Sequence, residues 1–153
     1  MPRPFHIGVI GAGSCDSQTY SLAREVGSHI GENGWILICG GLGGVMEAAS
    51  KGCLEAGGTT VGILPGMETS SANEYISIAI PTGLGEARNA LVVRASHVLV
   101  AIAGGYGTLS EIALGLKTGK PVIGLHTWEN IKGVQYAKSP LEAISLVKKA
   151  LKP

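Results

Sequence analysis

Apolar residues follow two alternating patterns along the chain. Short continuous runs such as Val98 to Ile102 are typical of buried strands, whereas apolar positions at helical spacing, as at Leu109, Ile112 and Leu116, are typical of helices. These patterns predict strands near residues 5–10, 35–39, 59–64, 76–80, 98–102 and 121–125. They predict helices near residues 17–31, 44–56, 85–96, 108–118 and 140–151.

The alternation of strands and helices predicts an α/β fold. Strands that are apolar throughout favour a parallel sheet covered on both faces. Right-handed crossovers then give a doubly wound, Rossmann-like sheet of about six or seven strands with helices on both faces. The 153 residues contain no internal repeat or linker, so we expect residues 1–153 to form a single ligand-binding domain.

Glycine-rich turns follow three of the predicted strands, at Gly11 to Ser14, Gly40 to Gly44 and Gly104 to Thr108. A strand, a glycine turn and a helix start form an anion site, because free N–H groups and the helix dipole both favour negative charge. In doubly wound sheets ligands bind beyond the carboxyl ends of the strands. We therefore predict one site for a small phosphorylated ligand. Its predicted residues are Gly11, Gly13, Ser14, Gly40, Gly41, Gly43, Gly44, Arg88, Asn89, Gly104, Gly105, Gly107, Thr108 and Glu111.

Two charged residues in this set allow more than one interpretation. Thr108-x-x-Glu111 has the spacing of a capping box, so Glu111 is either a helix cap or an active-site acid. Arg88 follows Gly83 to Gly85 at a predicted helix start, where a cation opposes the helix dipole. An anionic ligand would account for its position. Asp16 is predicted to be the N-cap of the first helix.

Charge and composition exclude several classes of function. The formal net charge is +1 and the basic residues are dispersed, which argues against nucleic-acid binding. No apolar run approaches the ~18 residues of a membrane span, and no signal peptide is present, so we expect a cytoplasmic protein that does not bind membranes. The three cysteines, Cys15, Cys39 and Cys53, match no metal-ligand spacing, and we predict no metal site.

Two common cofactors are also not expected. The segment Gly11-x-Gly13-x-x-Asp16 lacks the third glycine of a dinucleotide fingerprint, and Cys39-Gly40-Gly41 stands where an acidic residue would end the second strand. This pattern disfavours NAD, and we expect none. No lysine lies at a strand end where pyridoxal phosphate would be bound. Lys51, Lys117 and Lys120 lie on predicted helices or at helix ends.

The segment Ala103 to Glu111, with Arg88 upstream, resembles the signature Pro-Gly-Gly-x-Gly-Thr-x-x-Glu of the "Lonely guy" proteins. These cytokinin riboside monophosphate phosphoribohydrolases were long described as lysine decarboxylases. Residues 40–46 are similar to a second glycine-rich loop of that family. In an enzyme of this kind, the resemblance implies that Arg88 and Glu111 cleave an N-glycosidic bond while the Gly-Thr loop holds a 5′-phosphate.

The chain departs from that signature in three places: Asn89 replaces a lysine, Ala103 a proline, and Ser96-His97 a Ser-Asp pair. Residues 86–89 and 44–49 look closer to a sister branch, the molybdenum cofactor carrier proteins. That resemblance implies the molybdenum cofactor, a flat tricyclic pterin with a terminal phosphate, as bound cargo.

The leading hypothesis is therefore binding and storage or transfer of a phosphorylated pterin or nucleotide-like ligand. The alternative is a nucleoside 5′-monophosphate phosphoribohydrolase, so catalysis stays open. We also expect a homo-oligomer, either a dimer or a tetramer.

Overall fold

The computed structural model describes residues 2–153. Within this range the strands are β1 (His6–Gly11), β2 (Ile36–Cys39), β3 (Thr59–Leu64), β4 (Ile78–Pro81), β5 (Val98–Ile102), β6 (Val122–Leu125) and β7 (Gln135–Ala137). The helices are α1 (Ser17–Glu32), α2 (Val45–Glu55), α3 (Asn89–Ala95), α4 (Tyr106–Lys117) and α5 (Pro140–Leu151). No helix within residues 2–153 is both long enough and apolar enough to cross a bilayer.

The seven strands form one parallel sheet in the order β4-β3-β2-β1-β5-β6-β7. The chain builds outward from β1 to β4, returns to the other side of β1 with β5, and then continues outward. Helices α1, α2 and α5 cover one face, and α3 and α4 cover the other. This confirms the predicted doubly wound fold and places its switch point between β1 and β5.

The core consists of two apolar layers, one on each face of the sheet. Val98, Val100 and Ile102 of β5 pack beneath α1, α2 and α5, whereas Leu99 and Ala101 pack beneath α3 and α4. All five side chains are buried. Burial on both faces explains why the sequence of β5 is apolar throughout rather than alternating.

Several element boundaries differ from the sequence prediction. Strand β7 was not predicted, because Gln135 and Tyr136 are exposed and only Ala137 is buried, so the segment lacks an apolar run. The helix expected at 85–96 is a 3-10 turn, Gly85–Arg88, followed by α3. Helix α4 begins at Tyr106 rather than Thr108, with Gly105 as its N-cap.

Two of the predicted helix caps are present. The Asp16 side chain accepts a hydrogen bond from the Thr19 amide at 2.8 Å, which confirms Asp16 as the N-cap of α1. Asp16 is exposed, and its hydrogen bonds from Thr19 lower the pKa of the carboxyl group. Ser139 caps α5 through a bond from the Glu142 amide at 3.1 Å.

Candidate ligand-binding site

A cleft of about 180 Å³ lies beyond the carboxyl ends of β1 and β5, at the switch point of the sheet. The loop after β1, the start of α2, the start of α3 and the start of α4 meet there. Many of the predicted residues line it: Gly11, Gly13, Arg88, Asn89, Gly105, Gly107, Thr108 and Glu111. The convergence expected from the sequence is therefore present in the fold.

Ala12 and Met46 also line the cleft, although neither was among the predicted site residues. The amide of Val45 donates to the Ala12 carbonyl at 2.9 Å and holds the first two glycine turns together. Met46 lies in the first turn of α2. The signal for Met46 was its place at the end of the 40–46 segment, and the signal for Ala12 was its place between two glycines.

The other predicted residues do not line the cleft. These are Ser14, Gly40, Gly41, Gly43, Gly44 and Gly104. Gly44 has φ 61°, and a Cβ there would lie 2.3 Å from the Ala12 carbonyl oxygen. Gly104 has φ 102°, and a Cβ there would lie 2.1 Å from Oγ1 of Thr108. These two glycines are required by packing between the loops that form the walls.

The start of α4 presents unpaired amides to the cleft. Leu109 N donates to the Gly105 carbonyl at 3.0 Å, so the amides of Tyr106, Gly107 and Thr108 precede the first bond of the helix. The indole Nε1 of Trp128 donates to the same Gly105 carbonyl at 3.0 Å and fixes the turn. Such a helix start is an anion-binding device.

The capping-box interpretation of Glu111 is wrong. Gly105 is the N-cap of α4, no side chain caps this helix, and Thr108 lies inside its first turn. Glu111 is therefore one turn further along, and it faces the cleft, where only 6% of its surface is exposed. The Glu111 carboxyl group is therefore shielded from water, and it does not make the hydrogen bonds to backbone amides that a helix cap would make.

Arg88 and Glu111 lie together in the cleft, and both are buried. Burial raises the pKa of Glu111 to about 7, while the charge of Arg88 acts in the opposite direction. Arg88 is 8% exposed. Among residues 2–153 neither side chain belongs to an ion pair within 4.0 Å. The cleft thus contains a fixed cation and a carboxyl group that changes charge near neutral pH.

The guanidinium group of Arg88 is positioned by its neighbours but is not satisfied by them. Nη1 donates to the Asn89 side chain, and Nη2 donates to the Gly40 carbonyl at 3.4 Å. A Cβ at Gly40 would lie 2.7 Å from Nη2, so only glycine leaves room for this arrangement. Nε is buried and has no hydrogen-bond partner within residues 2–153. A buried N–H without an acceptor is costly, and a ligand oxygen would remove that cost.

Ala103 adopts a backbone conformation that proline cannot. Its φ is 52°, whereas proline is fixed near about −65°. Its amide also donates to the His126 carbonyl at 3.1 Å, a bond that proline would lose. The departure from the proline-containing signature at this position therefore matches the local structure of the turn.

Within residues 2–153, no group of three or more His, Cys, Asp or Glu side chains is placed to hold a metal ion. The three cysteines are free, and burial raises the pKa of each thiol. The cleft offers anion binding by Arg88 and the α4 amides, with proton transfer or hydrogen bonding at Glu111.

This chain is similar to a known protein family and to several solved structures. The model of the SLOG cluster4 family matches residues 4–151. The molybdenum cofactor binding protein from the phototrophic bacterium Rippkaea orientalis is 40% identical with a TM-score of 0.93, over 98% of this chain and 99% of that one. The molybdenum cofactor carrier protein from Chlamydomonas reinhardtii is 40% identical with a TM-score of 0.89, over 97% of this chain and 99% of that one.

An enzyme is also similar to this chain, at lower identity. The cytokinin riboside 5′-monophosphate phosphoribohydrolase from Mycobacterium tuberculosis is 28% identical over 131 residues, which cover 78% of this chain and 68% of the enzyme. The similar proteins thus include both groups that the glycine turns and Arg88 resemble, the molybdenum cofactor carrier proteins and the phosphoribohydrolases.

Proposed function

This chain belongs to the SLOG cluster4 family, and from that membership we propose that it binds the molybdenum cofactor for storage and transfer. The observation that carries the proposal is the buried, incompletely paired guanidinium of Arg88, which lies in the same cleft as the free amides of α4. Together they offer a site for a phosphate group. The similarity to a cofactor binding protein and a cofactor carrier protein supports this particular cargo.

The size of the cleft suits one end of such a ligand. Pockets that enclose a whole small molecule are typically about 300–1,000 Å³, larger than the 180 Å³ of this cleft. We infer that the terminal phosphate enters the cleft, where Arg88, Thr108 and the α4 amides hold it. The flat pterin then lies outside, over the backbone.

Two glycines at the rim leave room for a flat ring. A Cβ at Gly13 or Gly105 would meet no other atom within 4 Å, so packing within the chain does not explain why these positions lack side chains. Close approach of a ligand to the backbone does explain it.

The proposal is tested by titrating the protein, under anaerobic conditions, with cofactor released from a molybdoenzyme. Removing a charge-assisted hydrogen bond costs about 1.5–3 kcal/mol, so Arg88→Ala is expected to weaken binding about 10- to 150-fold. Lys117→Ala, which removes an exposed cation from the far end of α4, is the control and is expected to bind like the wild type. Equal binding by the wild type and Arg88→Ala, or none by the wild type, would overturn the proposal.

A second candidate function is supported by Glu111. A carboxyl group with a pKa of about 7 is suited to general acid or base catalysis at neutral pH. In a phosphoribohydrolase, water would cleave the bond between the base and C1′ of a nucleoside 5′-monophosphate, giving the free base and ribose 5-phosphate. Here Asn89 stands in place of the signature's lysine and accepts a hydrogen bond from Arg88, so the cleft has one cation fewer.

Incubation with AMP and with a cytokinin riboside 5′-monophosphate separates the two functions. The carrier proposal predicts little or no release of base and ribose 5-phosphate, measured by chromatography. Rapid release that is lost in Glu111→Gln would instead establish the enzyme.

A further inference from the structure

A second cavity, of about 400 Å³, lies at the amino-terminal edge of the sheet, opposite the cleft. It is formed where the segment before β1, the end of α3 and the start of β5 meet. Its lining includes Arg3, Phe5, His6, Arg94 and His97, and no carboxylate. We refer to it as the amino-edge pocket. The proposed function does not use any of these residues.

Hydrogen bonds fix how the two imidazoles face this pocket. The His6 amide donates to Nδ1 of His97 at 2.9 Å, so a neutral His97 carries its proton on Nε2. Nδ1 of His6 lies 2.9 Å from the Ala95 carbonyl, which only a protonated Nδ1 can satisfy. Nδ1 of each ring is therefore engaged by the backbone, and the Nε2 atoms are left for a ligand.

Aromatic contacts hold the His97 ring in place. The rings of His6 and His97 meet edge to face at 5.3 Å, and those of Phe5 and His97 at 5.4 Å. A donor that is fixed in this way loses little conformational entropy when it binds a ligand.

The charged groups around His97 are cationic. Desolvation lowers the pKa of His97, and the neighbouring His6 and Lys120 lower it further. The lysine Nζ donates to the Ser96 carbonyl at 2.6 Å, which holds that cation beside the pocket. The guanidinium groups of Arg3 and Arg94 add to the positive charge from two other segments. The chain as a whole carries a net charge of only +1, so this concentration is local.

We propose that the amino-edge pocket binds the diphosphate group of a small anion, which the guanidinium groups of Arg3 and Arg94 and the Nε2–H of His97 contact. Two guanidinium groups match two phosphates, because each presents a planar fork of donors to phosphate oxygens. A bound anion favours the imidazolium form of His97, so binding strengthens as the pH falls through the range in which His97 titrates. The pocket has room for a nucleoside diphosphate as well as for pyrophosphate itself.

The test is a titration with pyrophosphate and, in parallel, with ADP, followed by calorimetry and by the imidazole NMR signals of His97. Saturable binding is expected, with a shift of the His97 signals and a rise in its pKa. Arg3→Ala and Arg94→Ala are each expected to weaken binding by about tenfold. His97→Gln keeps an acceptor for the His6 amide and is expected to reduce the pH dependence of binding. Tighter binding of ADP than of pyrophosphate would identify a nucleotide as the source of the diphosphate.

Two control variants and a competing ligand test this assignment. The double variant Lys148→Ala/Lys149→Ala removes two exposed cations from α5 and is expected to bind like the wild type. Each titration is repeated in an Arg88→Ala background, which removes the cleft's own affinity for phosphate, so the remaining binding reports the amino-edge pocket and failure of one proposal is separable from failure of the other. Equal losses in the lysine variant, loss of all binding in Arg88→Ala, or unchanged His97 signals would overturn the proposal. Tighter binding of a single-stranded oligonucleotide than of either diphosphate would overturn it in favour of nucleic acid.

Discussion

Arg88 is a buried cation whose neighbours satisfy only part of its hydrogen-bonding capacity. Its Nε–H has no acceptor within residues 2–153, and the one carboxyl group in the cleft, Glu111, is not ion-paired with it. Exposed arginines gain little by such pairing, but a buried one is normally paired or bonded to a ligand. We therefore expect Arg88 to serve ligand binding at a cost in stability.

Arg88→Met tests this trade-off, because methionine fills much of the same space without the charge. Replacing a buried charge with an apolar side chain is often neutral or stabilising, so we expect the free energy of unfolding to stay unchanged or rise by up to about 2 kcal/mol. Ligand affinity is expected to fall at least tenfold. Urea unfolding and a ligand titration measure the two effects. Lower stability with intact binding would mean that Arg88 has a structural role.

Glu111 should make stability depend on pH. Its pKa is about 7 in the folded protein, against an ordinary value of 4.5, because burial disfavours the carboxylate. Between these pH values the folded protein holds a proton that the unfolded chain has released. The contribution of Glu111 is therefore fully present below pH 4.5, falls by about 3 kcal/mol as the pH rises to 7, and is constant above that. Urea unfolding from pH 4.5 to 8 should show this decline, and Glu111→Gln should remove it.

Ligand affinity should also depend on the protonation of Glu111. A protonated Glu111 donates a hydrogen bond to a phosphate oxygen, whereas a carboxylate repels it. We expect affinity to fall above pH 7 in the wild type and to vary less in Glu111→Gln. The same pH dependence in both proteins would remove Glu111 from the binding site.

At the level of elements, Gly105 in the turn between β5 and α4 allows ligand binding to be tested without disturbing the packing of the fold. A Cβ at Gly105 meets no atom within 4 Å, and its φ of −106° lies outside the left-handed region that favours glycine. Gly105→Ala should therefore keep the wild-type melting temperature but weaken ligand binding, because the methyl group occupies the rim of the cleft. Gly66→Ala, at a glycine that is equally open but outside the cleft, is the control. Equal affinities for the two variants would place the ligand elsewhere.

The sequence predicted elements well where apolar patterns are strong. The bounds of β3 and β5 agree with the structure, and in β5 the continuous apolar run reflects burial on both faces. The start of α4 was not predicted, because Tyr106 and Gly107 lack apolar periodicity and Thr108-x-x-Glu111 has the spacing of a cap. Local pattern alone does not separate such a cap from a buried acid.

The candidate site could be predicted in outline for a similar reason. Glycine turns after strands identify one edge of a doubly wound sheet, and Arg88 was recognised because a cation is unusual at a helix start. The burial of Arg88 could not be predicted, because it depends on contact with Gly40, far away in the sequence. The pKa of Glu111 likewise depends on how the folded chain excludes water.

At the scale of the whole molecule, apolar side chains are exposed around the edge strand β4. Ile78 is 50% exposed, and the neighbouring Leu84 and Met67 are 53% and 80% exposed. Exposed apolar edge strands are usually covered in native proteins, and we expect a second copy of this chain to cover this one. Sedimentation should give a dimer or tetramer, which Ile78→Lys weakens. Leu141→Lys, at an exposed leucine on α5, is the control. A monomeric wild type would contradict the expectation.

Binding of a phosphorylated pterin in the cleft can be examined by identifying the small molecules that the protein holds when it is purified. The protein is isolated under anaerobic conditions from cells that make the molybdenum cofactor and is then denatured, and the released small molecules are analysed by mass spectrometry together with the molybdenum content. We expect a phosphorylated pterin with molybdenum, which Lys117→Ala retains and Arg88→Met loses. A nucleotide or its hydrolysis products in place of the pterin, or equal pterin content in both variants, would contradict it.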